Sequence, residues 1–201
     1  MSKPKSNSAL FMYIVIALML TVSGVCFVLY YGTFTDSRIV LWVGVASFTI
    51  LYHFWLRIIM GSVTRRFPIR YTAWWFKERR FERRLYKLLR VRKWKGKVLT
   101  YDPGAFSLKQ HSYEEVANAM AKAETDHWIN QLISLSTMLF SLMWGAPWLF
   151  ISTGIVGMLF DMQFILVQRF HRPIIVRVID KERKRKTRRA LAKKSEETIN
   201  D

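Results

Sequence analysis

Apolar residues in this chain come in long blocks, and the charges sit between the blocks. The stretches 9–31 and 39–61 each approach the ~20 residues that a helix needs to cross ~30 Å of hydrocarbon. Gly32 to Arg38 separates them and predicts a tight external turn. Two further apolar stretches, 127–144 and 148–168, meet at Gly145-Ala146-Pro147, a second turn signal. Gly154 and Gly157 in the last stretch permit close helix contact. The first block continues past Val28 without a small-residue cleavage motif, so a retained span is expected rather than a signal peptide. No strand-period region and no fixed repeat appears. The expected fold is all-α, a single membrane domain over 1–201 with four transmembrane helices.

The pattern changes between the second and third spans. From Thr64 to Thr100, Arg and Lys alternate with Trp74, Trp75, Phe76, Phe81, Tyr86, Leu88, Leu89 and Trp94. Such alternation predicts a helix lying in the headgroup plane on the cytoplasmic face, rings down and basic stems snorkelling. It belongs to a cytoplasmic amphipathic segment, 64–126, in which Pro103 and Gly104 mark a loop. Ser112-Tyr113-Glu114-Glu115 then has the form of a capping box, opening a helix that runs into the third span. The tail, 174–201, begins as a basic helix and is expected to end without structure.

Composition sharpens this picture. The 201 residues are 51% apolar and 15% aromatic, yet carry a formal charge of +18. Fourteen of the 32 Lys and Arg lie in 64–97 and twelve in 169–194. With four spans both clusters fall on one side, which the positive-inside rule makes cytoplasmic, together with both termini. Juxtamembrane clusters of this kind set topology and attract anionic lipid, by about 1 kcal/mol per residue near the surface. A sharper role is to bind the phosphates of an acyl donor or the acidic face of a carrier protein. Nucleic acid is not expected as a partner, because no recognition fold accompanies the charge. The one cysteine, Cys26, excludes an internal disulfide and a Cys-based metal cluster. No metal-ligand spacing and no glycine-rich phosphate loop is present.

Two polar clusters flank the last pair of spans at what should be one depth. Glu124 and His127 are i and i+3 on one helical face, so the carboxylate can hold the imidazole and stabilise its protonated form. The imidazole can then take a proton from a hydroxyl, the base and orienter arrangement of acyl transfer. Asp161, Gln168 and Arg172 form one stripe of the fourth span. A carboxylate in apolar sequence needs a partner, and Arg169, Arg172 or the third span can supply it. The alternative is an interhelical polar contact. His53, near the inner end of span two, either joins His127 in one cavity or bonds to a neighbouring helix. His111 and His171 are expected at the interface.

Three ordered elements then carry a resemblance: Arg90-Val91-Arg92-Lys93-Trp94-Lys95, Lys122-Ala123-Glu124-Thr125-Asp126-His127-Trp128, and Ile165-Leu166-Val167-Gln168-Arg169-Phe170-His171-Arg172-Pro173. Over roughly 90–175, with weaker support back to His53, the chain resembles the glycosyl-4,4'-diaponeurosporenoate acyltransferase family of bacterial membrane proteins. It departs at His171, where the family pattern carries Asn, and at Asp161-Met162-Gln163, where that pattern carries Asn-x-Pro. The resemblance implies transfer of a fatty acyl group to a sugar hydroxyl of a glycosylated carotenoid acid in a bacterial cell membrane. By position it implies roles for Trp94, Lys95, Glu124, His127, Trp128, Gln168, Arg169, Arg172 and Pro173.

The expected chemistry is O-acyl transfer from an acyl thioester to a lipid-like acceptor, with no permanently bound cofactor and acyl-CoA or an acyl-carrier protein as donor. His127, oriented by Glu124, is the expected base. Arg169, Arg172 and Gln168 are expected at the oxyanion or the donor phosphates, and Asp161, His53, Trp128, Lys95 and Trp94 around the substrate. The competing readings are a non-catalytic protein binding lipid or a partner, and a small transporter using Asp161 and His53.

Overall fold

The computed structural model describes residues 7–98 and 103–200, so Thr100, the expected end of the basic aromatic stretch, lies outside them. The regular elements of the described residues are all helices, with no strand among them. Helix α1 (Asn7–Tyr31) and α2 (Arg38–Thr64) follow the first two apolar blocks; after them come α3 (Arg80–Leu88), α4 (Val91–Trp94), α5 (Tyr113–Ser136), α6 (Ser141–Trp144) and α7 (Pro147–Asn200). Three described helical stretches are long and apolar enough to cross a membrane: Leu10–Tyr31, Arg38–Thr64 and Pro147–Ala192. Their outer faces expose Leu10, Phe11, Ile14, Val28, Val156 and Leu159, among others. Water would not tolerate so continuous an apolar surface, so these faces read as lipid-facing.

The chain divides into two compact units, one of residues 1–68 with 126–162, the other of 69–125 with 163–201. In the first unit, α1 and α2 form a hairpin, and the end of α5 packs against the start of α7. Close approach there depends on two glycines. A Cβ at Gly154 would stand 2.9 Å from the Ser134 carbonyl oxygen, and one at Gly157 would stand 2.8 Å from the Ser134 hydroxyl. The turn before α7 is the expected one: Gly145 and Ala146 adopt φ of 71° and 49°, and Pro147 opens the helix. Phe27, Phe48, Phe140 and Phe150 gather around Trp144, whose indole N–H donates to the Tyr31 hydroxyl at 3.0 Å.

The stretch 127–144 is not one uninterrupted helix. α5 ends at Ser136, a 3₁₀ segment takes Thr137–Phe140, and α6 follows. Ser and Thr hydroxyls explain the tightening. Ser136, Thr137 and Ser141 each donate back to the carbonyl three residues earlier, at 2.8, 2.7 and 2.7 Å. Such bonds compete with the regular ladder and bend helices.

The second unit departs further from expectation. In place of one surface helix along the basic aromatic stretch there is a 3₁₀ turn at Trp74–Phe76, an extended break at Lys77 and Arg79, α3, a left-handed Arg90 (φ 49°) and then α4. The rings of Tyr71 and Phe76 pack with Ala117 and Ala121 of α5 and Ile179 of α7 in a small core. The capping box stands as expected, with Ser112 N–H donating to Glu115 at 2.8 Å and Glu115 N–H to the Ser112 hydroxyl at 3.3 Å. The fourth apolar stretch and the basic tail are one helix, running through Pro173 to Asn200 where the sequence pattern predicts an unstructured end. Arg, Lys, Glu and Ala, which dominate the tail, are strong helix formers.

Candidate active site

Asp161 is the best-connected polar group of the first unit. It is 1% exposed on α7, and its Oδ2 accepts from the Arg57 guanidinium of α2 at 2.6 Å. Its Oδ1 stands 2.9 Å from Nδ1 of His127 and accepts from the Asn130 amide at 3.2 Å, both residues lying on α5. Three helices thus converge on one carboxylate. A buried carboxylate stays ionised only with such compensation, and Arg57 provides the opposite charge. Because an ionised carboxylate can only accept, Nδ1 of His127 donates, and the ring lone pair lies on Nε2. The same carboxylate stabilises the imidazolium once Nε2 takes a proton. The orienting carboxylate at Nδ1 is therefore Asp161 rather than Glu124.

Arg57 and Asn130 lie outside the polar clusters that the sequence pattern marks. Arg57 left a signal, as a lone charge inside the apolar run 39–61, which is costly unless paired. His53 lies one turn earlier on α2, and both line a cleft of about 420 Å³ between α2 and α7. The Nδ1 of His53 and the Nε of Arg57 are buried without a hydrogen-bond partner among the described residues.

Glu124 belongs to a different arrangement in the second unit. It is 0% exposed, and its oxygens accept from Arg169 Nε at 2.7 Å and from Arg172 Nη1. Arg172, 2% exposed, also donates to the Phe76 carbonyl at 2.9 Å and stacks over the Phe76 ring at 4.9 Å. Arg169 pairs with Glu82 and donates to the Trp75 carbonyl at 3.0 Å. The two arginines thus bind the 3₁₀ turn Trp74–Phe76 to α7, and two glutamates balance their charge. Trp94 donates to the Leu89 carbonyl at 2.9 Å, and the Lys95 ammonium sits 4.7 Å above Phe170. Gln168 is half-buried beside Arg169 on α7, and Trp128 is half-buried beside His127 on α5.

Tyr86 closes this cluster by donating to Glu82 at 2.8 Å. Burial pushes its hydroxyl well above the ordinary tyrosine range, and the hydrogen bond to the carboxylate adds to the shift. A raised folded-state pKa contributes stability that is fully present below ~10, the unfolded value, and is lost as pH rises through the folded value. In an alkaline titration followed by phenolate absorbance, Tyr86 should ionise after the exposed tyrosines. Tyr86→Phe should remove that late step.

Residues 72–181, more than half of the chain, match the family described as Glycosyl-4,4'-diaponeurosporenoate acyltransferase. The chain belongs to this family. The match to the glycosyl-4,4'-diaponeurosporenoate acyltransferases takes in Glu82, Glu124, His127, Asp161, Arg169 and Arg172, while His53 and Arg57 precede it. No curated protein and no solved structure matches the chain.

Proposed function

We propose that the protein is a membrane O-acyltransferase that moves a fatty acyl group from an acyl thioester to a hydroxyl of a lipid-linked sugar or glycosylated carotenoid. The observation that carries this reading is the Asp161–His127 pair, braced by Arg57 and Asn130 within a chain of this family. The acceptor hydroxyl loses its proton to His127 Nε2 as its oxygen attacks the thioester carbonyl. The carbon–oxygen bond forms, the carbon–sulfur bond breaks, and the imidazolium returns the proton to the departing thiolate. Asp161 holds the imidazole and balances its charge, as an orienting positioning residue. Arg57 supplies positive charge beside the pair, suited to a developing oxyanion.

This reading also concerns the membrane. The stretch 127–144 is the third of four crossings, antiparallel to the start of α7. Gln131 donates to the Met158 carbonyl at 2.8 Å and Gly154 lies against Ser134, as a hairpin through the Gly145-Ala146 turn requires. Four crossings keep both basic clusters and both termini on the cytoplasmic side, where acyl-CoA or acyl-carrier protein is available. The donor is bound transiently, and no permanent cofactor takes part. Trp74, Trp75 and Phe81 are exposed among Arg and Lys, as a surface meeting anionic lipid would be. Glu124, Arg169 and Arg172 serve as a structural clamp in this scheme, with Gln168, Trp94 and Lys95 around it.

Lipid mass spectrometry of cells expressing the wild type or His127→Ala at equal membrane levels tests the assignment. A lipid heavier by one fatty acyl group should appear with the wild type and fall by ~10²–10⁴-fold in the variant. Identical lipid profiles from two folded proteins would replace the enzyme with a non-catalytic, lipid-binding protein.

A further inference from the structure

The cleft beside the Asp161 cluster has its own chemistry. Its walls are almost wholly apolar, formed by Val45, Ala46 and Ile50 on α2 and by Leu149, Thr153 and Val156 on α7. It extends along α2 from Val45 to Arg57, roughly 18 Å at 1.5 Å per residue. Its volume of about 420 Å³ lies within the ~300–1,000 Å³ usual for small-molecule sites.

The two ends differ. Near Val45 and Leu149 the lining is apolar apart from Thr49 and Thr153, whose hydroxyls donate to the Val45 and Leu149 carbonyls of their own helices. At the other end stand His53 and Arg57, each with a buried ring or guanidinium nitrogen that has no hydrogen-bond partner among the described residues. A buried donor or acceptor left without a partner costs about 1–3 kcal/mol, so such groups mark a place for a polar ligand atom. Gly157 lines this end and lies close to His53, since a Cβ there would stand in ordinary contact with His53 Cε1 at 3.7 Å. Arg57 in turn is bonded to Asp161, which holds His127. A long apolar slot therefore ends in polar groups one carboxylate away from the imidazole.

We infer that this cleft holds the fatty acyl tail of the donor thioester, with its carbonyl at His53 and Arg57 and its methyl end near Ala46 and Leu149. The inference rests on the acyl-transfer reading and adds to it where the tail lies and what limits its length. Each methylene accommodated is worth about 0.8 kcal/mol, so the slot discriminates by chain length, and the residue at its far end sets the cutoff. Ala46 is exposed on the cleft wall, and its small side chain leaves that end open. A ring at position 46 shortens the slot without disturbing a buried contact. Thr153, also exposed, lines the facing wall and offers an independent site for added volume.

Two measurements separate this inference from the reading beneath it. The first labels the full-length wild-type protein in detergent with a long-chain acyl-CoA carrying a diazirine at its methyl end. Label should enter peptides containing Ala46 and Leu149 to Val156, and unmodified acyl-CoA should compete it away where phosphatidylglycerol does not. Label elsewhere, or equal competition by the phospholipid, overturns the inference whether or not the protein transfers acyl groups. The second follows the acyl composition of the product formed by the wild type, Ala46→Phe and Thr153→Leu. The ratio of the longest to the shortest acyl chain should fall about tenfold in Ala46→Phe, the equivalent of roughly two methylenes. Thr153→Leu should shift the ratio in the same direction. Full product with an unchanged chain profile in both folded variants overturns the inference while acyl transfer stands. Absence of product from the wild type, with the label in place, removes the transfer reading and leaves an acyl-binding cleft.

Discussion

Replacing Asp161 by asparagine should lower acyl transfer by ~10²–10⁴-fold and leave the protein folded in the membrane. Shape is nearly conserved, so the effect follows from which atom faces which partner. The aspartate accepts on both sides, from Arg57 on Oδ2 and from His127 and Asn130 on Oδ1. An asparagine has one oxygen and one NH₂ group. The guanidinium of Arg57 can only donate, so the amide oxygen must face it. The NH₂ then faces His127 Nδ1 and donates to it, while Asn130 turns its own amide to accept. The lone pair of the imidazole is thereby used at Nδ1, and Nε2 carries the proton. A base with the wrong tautomer cannot accept the hydroxyl proton, and the charge that stabilised the imidazolium is gone. Product formation per folded molecule, measured by lipid mass spectrometry at matched membrane levels, decides the matter. The apparent affinity for donor should change little, because the acyl cleft is untouched. Wild-type turnover by the asparagine variant would remove Asp161 and His127 from the chemistry.

Much of this arrangement is legible in the order of residues along the chain. Apolar blocks fixed α1, α2 and the start of α7, because hydrocarbon demands long uninterrupted helices and few residues satisfy it otherwise. Gly145-Ala146-Pro147, Gly154 and Gly157, and the Ser112–Glu115 box each act through local geometry that sequence displays directly. His127 and Asp161 are visible as costly groups in apolar surroundings. Their pairing is not, because 34 residues separate them and only the α5–α7 register brings them together. The i,i+3 spacing of Glu124 and His127 suggests a local partner, and tertiary contacts override it for the Nδ1 bond. Arg57 stands out less than its role warrants, since one charge among the apolar residues of α2 reads as an interruption until its counter-ion is known. The basic aromatic stretch after Thr64 misleads for another reason. Alternating rings and charges describe a surface, but they do not show where the backbone breaks, and Arg90 in the left-handed region leaves no pattern in neighbouring residues.

Glu124→Ala should cost about 3–5 kcal/mol, the usual effect of removing one partner from a buried ion pair, and should show as early thermal unfolding in detergent. Arg172 is the reason for so large an effect. At 2% exposure it cannot turn to water, and without Glu124 it keeps its hydrogen bond to the Phe76 carbonyl but loses its counter-charge. Arg169 is less exposed to this loss, because it keeps Glu82 and the Trp75 carbonyl. A loss of this size is a large fraction of the ~5–15 kcal/mol that holds ordinary domains folded. If the deficit comes from an uncompensated charge, removing the charge should reverse it. Glu124→Leu combined with Arg172→Met should therefore be more stable than either single variant, and a double-mutant cycle over the four proteins reads the coupling directly. Glu124→Gln separates structure from chemistry. Its amide keeps the side-chain shape, so a clamp predicts partial stability with activity per folded molecule close to the wild type. A fully stable Glu124→Gln protein lacking activity would instead place Glu124 in the reaction.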